Sequence, residues 1–468
     1  MPLRAHESRP DLIQAEVHTA AYNEVFDHGQ LRSHYRTAWN AYQRKNTVQI
    51  ASMARTARIA FHGDAPVMTF PRILTSAEQR LLRSAVAQRG RAIHAFLVDH
   101  YLGAKTYRKA RIIAPATLKR ILARHPPGNP PRDLKPEEIQ FWYAPDLIRG
   151  PDGQFRVLED NLTFAGGLGD LGALPAAARA IRPPRSLLVA QPDPSRFYRQ
   201  LAAQFRQTAR QFGAGAAVML SYHRDLCDTN EDLRFEQALA PLGVISVRTP
   251  GARQVGSGLR FSDGNLVHGS SANPVSYVAI NVEPEDIEAA GLPGFWSAVA
   301  QRRFGVSTWP GLEFTNDKEF YLYVDAWIRF YLRQSPKVRS LATYAFSGSA
   351  KLASPVSAVF AQLDHWVIKG VRGRCGEKVW IGNRLATAEA RRLHRRVRAH
   401  PENFIFQRFT PLSTVLDHHV DLRYHAVIGP RRPIVSTWAW GRAIPVGGNG
   451  KVNISNQGAL SIVLTSPD

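Results

Sequence analysis

Three oxygen-bearing side chains, Asp146, Glu159 and Asn161, lie in a segment whose pattern predicts a β-hairpin. The sequence IQFWYAPDLIRGPDGQFRVLEDN is typical of two strands joined by a Pro-Asp-Gly turn. Because side chains alternate along a strand, Glu159 and Asn161 would share one face of the second strand, beside Asp146 on the first. Mg²⁺ favours such ligands and often bridges carboxylates to nucleotide phosphates, so the pattern indicates a magnesium site. The structural alternative is that Asp160 and Asn161 only begin a turn and Asp146 is an exposed strand residue.

A lysine and two glycines occur together later in the chain, in HWVIKGVRGRCGEKVWIG. Lys369 ends an apolar strand, and the loop after it contains Gly373 and Gly376. The lysine could neutralise phosphate charge, and the loop amides could cradle an anion because glycine permits close approach of the backbone. The segment is not a Walker A sequence, since no Gly-Lys-Ser or Gly-Lys-Thr opens a helix here. A tight basic hairpin is the simpler interpretation.

Several single residues have weaker patterns. Lys318 in EFTNDKEF could be an ordinary lysine at a helix start, and Asp421 with Arg423 in HVDLRYHAV could be an ordinary strand pair. Arg423 could instead clamp a phosphate through two parallel hydrogen bonds, which lysine cannot do. The segment SNQG, which contains Asn456, is either a polar turn or a phosphate-contacting loop, and without context the turn is favoured.

Other kinds of chemistry are poorly supported by the sequence. No Gly-x-Ser-x-Gly sequence occurs where a strand meets a helix, so a serine nucleophile is not indicated. His418 and His419 are adjacent on a predicted strand and would point to opposite faces, which disfavours a shared metal. Cys227 and Cys375 are the only cysteines, and they form neither a disulfide framework nor a zinc-binding pattern.

The elements that would position these residues fall into four predicted regions. Residues 1–125 show helical spacing, above all in SAEQRLLRSAVAQRGRAIHAFLVDHYL with Ser76 as its cap, and predict a helical N-terminal lobe. Residues 126–185 contain the metal-ligand hairpin. Residues 186–300 alternate strand and helix through SLLVAQ, AAVMLSY, VISVRT and YVAIN, which predicts a small α/β subdomain with a mainly parallel sheet and a further hairpin at FSDGNLV. Residues 301–468 mix a long helix, EFYLYVDAWIRFYL, with the strands WVIKG, VWIG, FIFQRF and YHAVIG.

Length and composition are those of a large folded protein. The chain has 468 residues, 44% of them apolar, which predicts two or three lobes. No stretch approaches the roughly 18 uncharged apolar residues of a membrane span, and the first residues lack the apolar core of a secretion signal. We therefore expect a cytoplasmic protein without a membrane partner.

The chain is strongly basic. Lys and Arg total 60 against 38 Asp and Glu, a net charge of +22, which favours phosphate-bearing partners without naming one. The densest cluster lies in one predicted helix, TAEARRLHRRVRAH, and consists of Arg391, Arg392, Arg395, Arg396 and Arg398. A solvated helix face is the favoured interpretation, and contact with nucleic acid or another polyanion is the alternative.

The separate motifs occur together in one order: Asp146, LEDN, NDK with Lys318, VIKG with Lys369, VDLR and SNQG. In this order they resemble the circularly permuted ATP-grasp type 2 family, relatives of glutathionylspermidine synthase. The resemblance extends from YNEVFD near residue 22 and PRIL at 71 to SNQG. In ordinary ATP-grasp enzymes the metal-ligand strands come late, whereas here they precede the lysine and glycine-loop part. The implied fold class is mixed α+β and α/β: a circularly permuted ATP-grasp fold with a helical N-terminal lobe and a small α/β subdomain.

The resemblance also implies roles for the matching residues. The implied Mg²⁺ ligands are Asp146, Glu159 and Asn161. The implied ATP-binding residues are Lys318, Lys369, Gly373, Gly376, Phe406, Gln407, Arg408 and Asn456, with positions 406–408 at the adenine linker. Lys369 and Arg423 are the implied catalytic residues, the arginine stabilising the transferred phosphoryl group.

The implied activity is the joining of a carboxylate to an amine at the expense of ATP. The carboxylate, of a small molecule or peptide, would attack the γ-phosphate to give an acyl phosphate and ADP, and the amine would then displace phosphate. The glycine loop would close over the nucleotide and exclude water. Family members often act with a helical partner domain, so a separate helical partner protein is a further expectation.

The chain departs from the family pattern in three places. Residues 162–167, LTFAGG, replace an arginine and a Pro-Ser-Gly turn, and residues 277–280, YVAI, replace an arginine pair. The loop at 372–378 is also less glycine-rich. Because the metal set and both lysines remain, a changed substrate is favoured over lost catalysis. The alternatives are a catalytically silent nucleotide-binding or scaffold protein, and an RNA-binding protein or RNA-dependent ligase, which only the basic charge supports.

Overall fold

The structure is a computed structural model of the chain. It describes residues 21–61, 65–126, 128, 130–163, 165–222, 230–248, 258–269, 272–284, 286–289, 291–346, 355–373, 376–454 and 458–467. The predicted nucleotide residue Asn456 and both cysteines lie outside these residues.

The α-helices pack around several β-sheets. They are α1 (Arg36–Gln43), α2 (Thr47–Ala60), α3 (Ser76–Tyr101), α4 (Thr106–Lys109), α5 (Pro115–Ala123), α6 (Leu174–Ala180), α7 (Arg185–Val189), α8 (Ser195–Phe212), α9 (Glu231–Leu239), α10 (Asp286–Ala289), α11 (Phe295–Ala300), α12 (Val324–Leu332), α13 (Val356–Ala361) and α14 (Thr387–Ala399).

The strands alternate with these helices along the chain. They are β1 (Phe26–Asp27), β2 (Gln30–Leu31), β3 (Arg72–Leu74), β4 (Phe141–Tyr143), β5 (Asp146–Arg149), β6 (Phe155–Glu159), β7 (Ala216–Ser221), β8 (Ile245–Arg248), β9 (Leu259–Ser262), β10 (Asn265–His268), β11 (Asn273–Asn281), β12 (Gly305–Val306), β13 (Arg339–Ser340), β14 (Thr343–Ala345), β15 (Trp366–Gly370), β16 (Val379–Ile381), β17 (Phe404–Arg408), β18 (Thr414–Val415), β19 (His418–Arg423), β20 (Ala426–Ile428), β21 (Ile434–Val435), β22 (Trp440–Pro445) and β23 (Ala459–Thr465).

The helix α3 begins as predicted, but its cap is Thr75 and not Ser76. The Thr75 hydroxyl accepts from the Glu78 amide at 3.2 Å, and the Glu78 carboxylate accepts from the Thr75 amide at 2.9 Å. This reciprocal capping box satisfies two backbone donors that the helix cannot satisfy itself. The Ser76 hydroxyl instead donates to the Ser466 carbonyl at 2.9 Å, near the other end of the chain.

The largest sheet has the strand order β13-β6-β5-β19-β22-β23-β3, with β18 beside β19. The hairpin β5–β6 is antiparallel, as predicted. The segment predicted as two strands contains three, however, because β4 leaves the hairpin before Pro145 and pairs with β20 in a separate sheet of order β21-β20-β4. Proline lacks the amide hydrogen that a continuous ladder would need. The N-terminal region also supplies β3, which pairs in parallel with the C-terminal strand β23.

The α/β region forms a mixed sheet of order β8-β7-β11-β10-β9, with β12 also paired to β11. Three of its pairings are parallel, β7 with β8 and β11 with both β7 and β12. Two pairings are antiparallel, β10 with β11 and β10 with β9, and the second is the predicted hairpin, which turns at Asp263 and Gly264. The expectation that SLLVAQ forms a strand is wrong, because residues 186–189 of this run lie in α7, which buries Leu187. A short apolar run does not distinguish a strand from a buried helix.

A small antiparallel sheet of order β14-β17-β15-β16 shares an apolar core with α13 and α14. One face of the sheet belongs to an apolar core that contains Trp366, Ile368, Phe404 and Phe406 with Leu393 and Val397 of α14. Lys369 and Gln407 lie on the opposite face, because side chains alternate between the two faces along each strand. The predicted long helix before this sheet is shorter than expected, since Phe320–Tyr323 form a 3₁₀ turn ahead of α12.

The arginine-rich segment forms α14, with its arginines exposed. Over the described part of the chain, no helix has the length and apolar character that a membrane span requires.

Candidate active site

Three charged residues form a row at one end of the largest sheet. Asp146 begins β5, and it pairs with Glu159 at the end of β6 on one side and with Arg423 at the end of β19 on the other. A register shift separates Asp146 from Leu147, so the strand is irregular at this point. Paired residues on neighbouring strands lie on the same face. The sheet therefore brings together side chains that are up to 277 residues apart.

Two lysines converge on Glu159 from outside this sheet. Lys318 Nζ lies 3.3 Å from Oε1, and Lys369 Nζ lies 3.7 Å from Oε2. Lys318 follows the 3₁₀ turn Glu313–Asn316, and Lys369 lies on β15. Burial lowers the pKa of Lys369, and the nearby Lys318 adds to this effect while Glu159 opposes it. One carboxylate thus balances two cations that come from different elements.

These residues line a cleft between the end of the largest sheet and the small antiparallel sheet. The lining residues are Leu158, Glu159, Asp160, Thr315, Asn316, Asp317, Lys318, Tyr321, Lys369, Ile405 and Gln407. The cleft therefore contains both predicted phosphate-binding lysines and one predicted metal ligand.

Asp146 is held by two guanidinium groups. Its Oδ1 accepts from Arg423 Nε at 2.7 Å, and its Oδ2 lies 3.0 Å from Arg442 Nη2. Burial would raise the pKa of Asp146, but the two arginines hold it well below its usual range. Arg442 also holds Asp421 through Nε at 3.0 Å and Nη2 at 2.5 Å. Both carboxylate oxygens of Asp146 are therefore in contact with an arginine, and its role as a metal ligand stays a prediction.

The two residues after Glu159 have different hydrogen-bond partners. Asp160 turns inward, where Arg89 donates to both of its oxygens at 2.7 Å and Tyr143 donates at 2.6 Å. Asn161 Nδ2 donates to the Ala144 carbonyl at 3.0 Å. This bond turns the amide so that Oδ1 is the atom able to act as a ligand.

The residues that fit Mg²⁺ best are Glu159 and Asn161. In the part of the chain that the structure describes, no three acidic, histidine or cysteine side chains cluster as a metal site. Mg²⁺ does not require such a cage, because it commonly uses one or two carboxylates together with substrate phosphates and water. A carboxylate that faces two lysines predicted to bind phosphate fits that kind of shared site.

The glycine loop contacts two lysines through its carbonyls. Lys318 Nζ donates to the Gly373 carbonyl at 2.8 Å, and Lys451 Nζ donates to the Gly376 carbonyl at 3.2 Å. Gly373 has φ 141° and Gly376 has φ 73°, values that suit glycine. Residues 374 and 375 lie outside the described residues, and the predicted amide cradle stays a prediction.

Of the three predicted linker residues, only Gln407 directs its side chain to the cleft. Its Nε2 donates to the Leu158 carbonyl at 3.1 Å and to Thr343 Oγ1 at 2.8 Å. Phe406 belongs to the apolar core on the other face of the sheet, and Arg408 lies over the Trp366 ring at 5.5 Å. Any contact of Phe406 with a nucleotide would therefore have to use its backbone.

The loop after Asn161 contacts the arginine side of the site. The Gly166 carbonyl accepts from Arg423 Nη1 and from His425 Nε2, both at 2.9 Å. The Gly167 amide donates to Glu231 Oε1 at 2.6 Å. Burial and Arg423 lower the pKa of His425 to about 3, so this histidine is a neutral hydrogen-bond donor here.

Sequence reasoning missed two residues of the site. Arg442 lies among apolar residues of β22, and an arginine in a buried strand is itself a signal of a paired acid. Asn316 accepts from the Leu162 amide at 2.6 Å and donates to Thr163 Oγ1 at 3.1 Å. It thereby joins the NDK segment to the loop after LEDN, and the NDK motif was the only available signal.

Comparison with a solved structure supports the architecture. A glutathione synthetase-like effector from Globodera pallida, in its apo form, superposes with a TM-score of 0.57 at 12% identity, covering 91% of this chain and 98% of that one. The architecture is that of an ATP-grasp fold. Residues 71–221 and 279–439 match the circularly permuted ATP-grasp type 2 family, and the chain belongs to that family. The fold class predicted from the sequence is confirmed.

Curated proteins are similar to this chain in sequence over most of its length. Putative glutamate–cysteine ligases of Frankia alni and Frankia casuarinae are each 27% identical, over 94% and 91% of this chain. An uncharacterised Synechocystis protein is 26% identical over 76%. The matches cover 54%, 52% and 75% of these relatives, so this chain spans about half the length of the two putative ligases.

Proposed function

We propose that this chain is an ATP- and Mg²⁺-dependent ligase that joins a carboxylate to an amine and forms ADP. The observation that carries the proposal is the convergence of Lys318 and Lys369 on Glu159, within 3.3 and 3.7 Å, in the cleft of an ATP-grasp fold. The pair Asp146–Arg423 lies beside Glu159 on the largest sheet.

The two lysines would bind the phosphates of ATP. Their ammonium groups now face a carboxylate at distances longer than a tight charged hydrogen bond, so phosphate oxygens could replace it. Gln407 would position the nucleotide from the small sheet. Glu159 and Asn161 would hold Mg²⁺, which when bound would neutralise part of the phosphate charge.

Arg423 would act on the phosphoryl group that is transferred. A carboxylate oxygen of the substrate would attack the γ-phosphorus, the bond from that phosphorus to the bridging oxygen would break, and ADP would leave. The amine nitrogen would then attack the acyl carbon, lose a proton and displace phosphate. Arg423 can stabilise the developing charge because Asp146 and the Gly166 carbonyl fix its guanidinium in advance.

The residues expected to contact the substrate differ from the family pattern. Residues 162–167 and 277–280 replace the arginines expected from the family, and Tyr277, Val278, Ala279 and Ile280 are buried core residues. This supports a substrate other than that of the arginine-bearing relatives. The names of two relatives, putative glutamate–cysteine ligases, support an amino acid or peptide as carboxylate and amine. A cytoplasmic location and a helical partner protein stay predictions.

Hydroxylamine tests the reaction without knowledge of the natural amine. The chain is incubated with ATP, Mg²⁺ and a panel of amino acids and peptides, and hydroxamate and ADP are measured together. Hydroxamate formed in step with ADP, with ¹⁸O passing from labelled carboxylate into phosphate, would support the acyl phosphate. Nucleotide binding without turnover for every carboxylate would favour the catalytically silent alternative.

A further inference from the structure

The segment that contains Lys318 is anchored by helix α5. Arg124, directly after α5, donates from Nη1 to Asp317 Oδ2 at 3.0 Å and from Nη2 to Glu319 Oε2 at 2.9 Å. Arg120 of α5 also bonds Glu319, and His125 Nε2 lies 3.3 Å from Asp317. The two residues flanking the nucleotide lysine are therefore held by the same guanidinium.

The carboxylates of Asp317 and Glu319 are both buried, so each needs a charged or hydrogen-bonding partner. The side chain of Asp317 is 0% exposed and that of Glu319 is 2% exposed. A buried carboxylate costs free energy unless it is paired and hydrogen-bonded. Asp317 Oδ1 also accepts from the Glu319 amide at 2.8 Å, which fixes the backbone across Lys318.

The backbone of Lys318 is fixed from the opposite side as well. Its amide donates to the Val371 carbonyl at 3.0 Å, just after β15. The backbone at residues 317, 318 and 319 is thus held where Lys318 Nζ reaches Glu159 and the Gly373 carbonyl.

Arg124 also reaches the small sheet. Its Nη2 donates to the Glu402 carbonyl, two residues before the start of β17, the strand that carries Gln407. A single guanidinium, 10% exposed, thus joins the lysine segment to the strand on the other side of the cleft. Its planar, forked donors reach the three acceptors together, Asp317 through Nη1 and the other two through Nη2.

We propose that Arg124 is a positioning residue that holds Lys318 in the direction needed to bind nucleotide phosphate. This inference rests on the proposed function, because it assumes that Lys318 contacts ATP. Arg124 itself lines no part of the cleft among the residues described there. Because the two acids that it holds flank Lys318, its effect on ATP should pass mainly through Lys318.

A double-mutant cycle tests this path. Calorimetry gives the Kd of Mg-ATP for the unchanged chain, for Arg124→Lys, for Lys318→Met and for the double variant. We expect Arg124→Lys to raise Kd by about tenfold in the unchanged chain and by less than about twofold when Lys318 is already absent. Asp317→Asn, which breaks the same contact from the other side, should behave in the same way. It also provides the test if Arg124→Lys does not fold.

Arg302→Lys is the matched control. Arg302 also bonds a carboxylate, Glu138, at 2.7 Å together with two carbonyls, and it lies outside the cleft. Its replacement should leave Kd unchanged. The proposal is overturned if folded Arg124→Lys binds as tightly as the unchanged chain, or if it weakens binding equally without Lys318. Absence of Mg-ATP binding by the unchanged chain is a different result and overturns the proposed function as well.

Discussion

Lys369 and Glu159 face each other across the cleft, with Nζ 3.7 Å from Oε2. Burial lowers the pKa of this lysine, and the carboxylate opposite counteracts that shift. Lys318 shares the same carboxylate from 3.3 Å. A phosphate chain that enters the cleft would compete with Glu159 for both cations, and a metal would let Glu159 and phosphate coexist. Glu159 is therefore expected to oppose free ATP and to favour Mg-ATP.

Glu159→Gln should separate these two effects. Mg²⁺ should strengthen ATP binding about tenfold less in this variant than in the unchanged chain, since a carboxylate ligand is gone. Metal-free ATP should bind as tightly as before or more tightly, because the lysines lose their competitor. Calorimetry with Mg²⁺ and with a chelator gives both constants. Glu389→Gln on α14 makes the same charge change beyond the cleft, and an equal Mg²⁺ gain in both variants would contradict the metal assignment.

Arg442→Met should unfold more easily than the unchanged chain. The change leaves Asp421, which is 1% exposed, without its bidentate partner and removes one of the two arginines at Asp146. Breaking a buried pair in this way costs about 3–5 kcal/mol. Urea unfolding measures the difference. Arg391→Met, in the exposed face of α14, should change stability by no more than about 0.5 kcal/mol. Similar losses for both variants would show that the Asp421–Arg442–Asp146 network contributes little.

Glu231 should make stability depend on pH. Burial raises its pKa to about 8, with Asp170 and Asp232 contributing, so the folded chain holds a proton that the unfolded chain releases near its ordinary pKa of 4.5. The associated stability is complete below that ordinary pKa and is lost as the pH rises through about 8. Glu231→Gln should remove this loss, which we place on the order of 1 kcal/mol between about pH 6 and 9.

Chemical unfolding of Glu231→Gln at both pH values provides the measurement. The exposed Glu288 is a suitable control because it also accepts from a backbone amide, that of Trp296 at 3.1 Å. Glu288→Gln should keep the pH dependence of the unchanged chain. If Glu231→Gln keeps it too, the protonated state assigned to Glu231 is wrong.

The sequence allowed the fold to be predicted where local chemistry decides it. The Pro-Asp-Gly turn predicted a hairpin with Asp146 on one strand and Glu159 on the other, and the two residues pair across β5 and β6. Order of motifs, not spacing, indicated the ATP-grasp family. Local patterns could not predict which distant strands pair. Asp421 was taken as an ordinary strand residue because its partner, Arg442, is reached only when β22 pairs with β19.

Local patterns also failed where tertiary contacts compete with them. Ser76 satisfies the composition of a helix cap as well as Thr75 does, but its hydroxyl is used by the C-terminal segment at Ser466. SLLVAQ has strand-like composition, yet it buries Leu187 from a helix. Phe406 was predicted to lie at the adenine linker from its motif position alone, but its side chain is buried in the apolar core of the small sheet.

Thr75→Ala tests the cap assignment. The change removes the acceptor for the Glu78 amide at the start of α3 and should lower the free energy of unfolding by about 1 kcal/mol. Thr75→Ser keeps the acceptor and should restore most of the loss. Thermal unfolding of the two variants gives the comparison, and equal stability of Thr75→Ala and the unchanged chain would mean that the capping box is not formed in solution.

The most direct test of the central claim is the binding of Mg-ATP to Lys369→Met, measured by calorimetry beside the unchanged chain. Lys119→Met, an exposed lysine of α5, is the control for loss of one positive charge. We expect the unchanged chain and Lys119→Met to bind alike and Lys369→Met to bind at least about tenfold more weakly, the loss of one charged hydrogen bond to phosphate. No binding by the folded, unchanged chain at millimolar ATP, or equal binding by all three, would contradict a nucleotide site in this cleft.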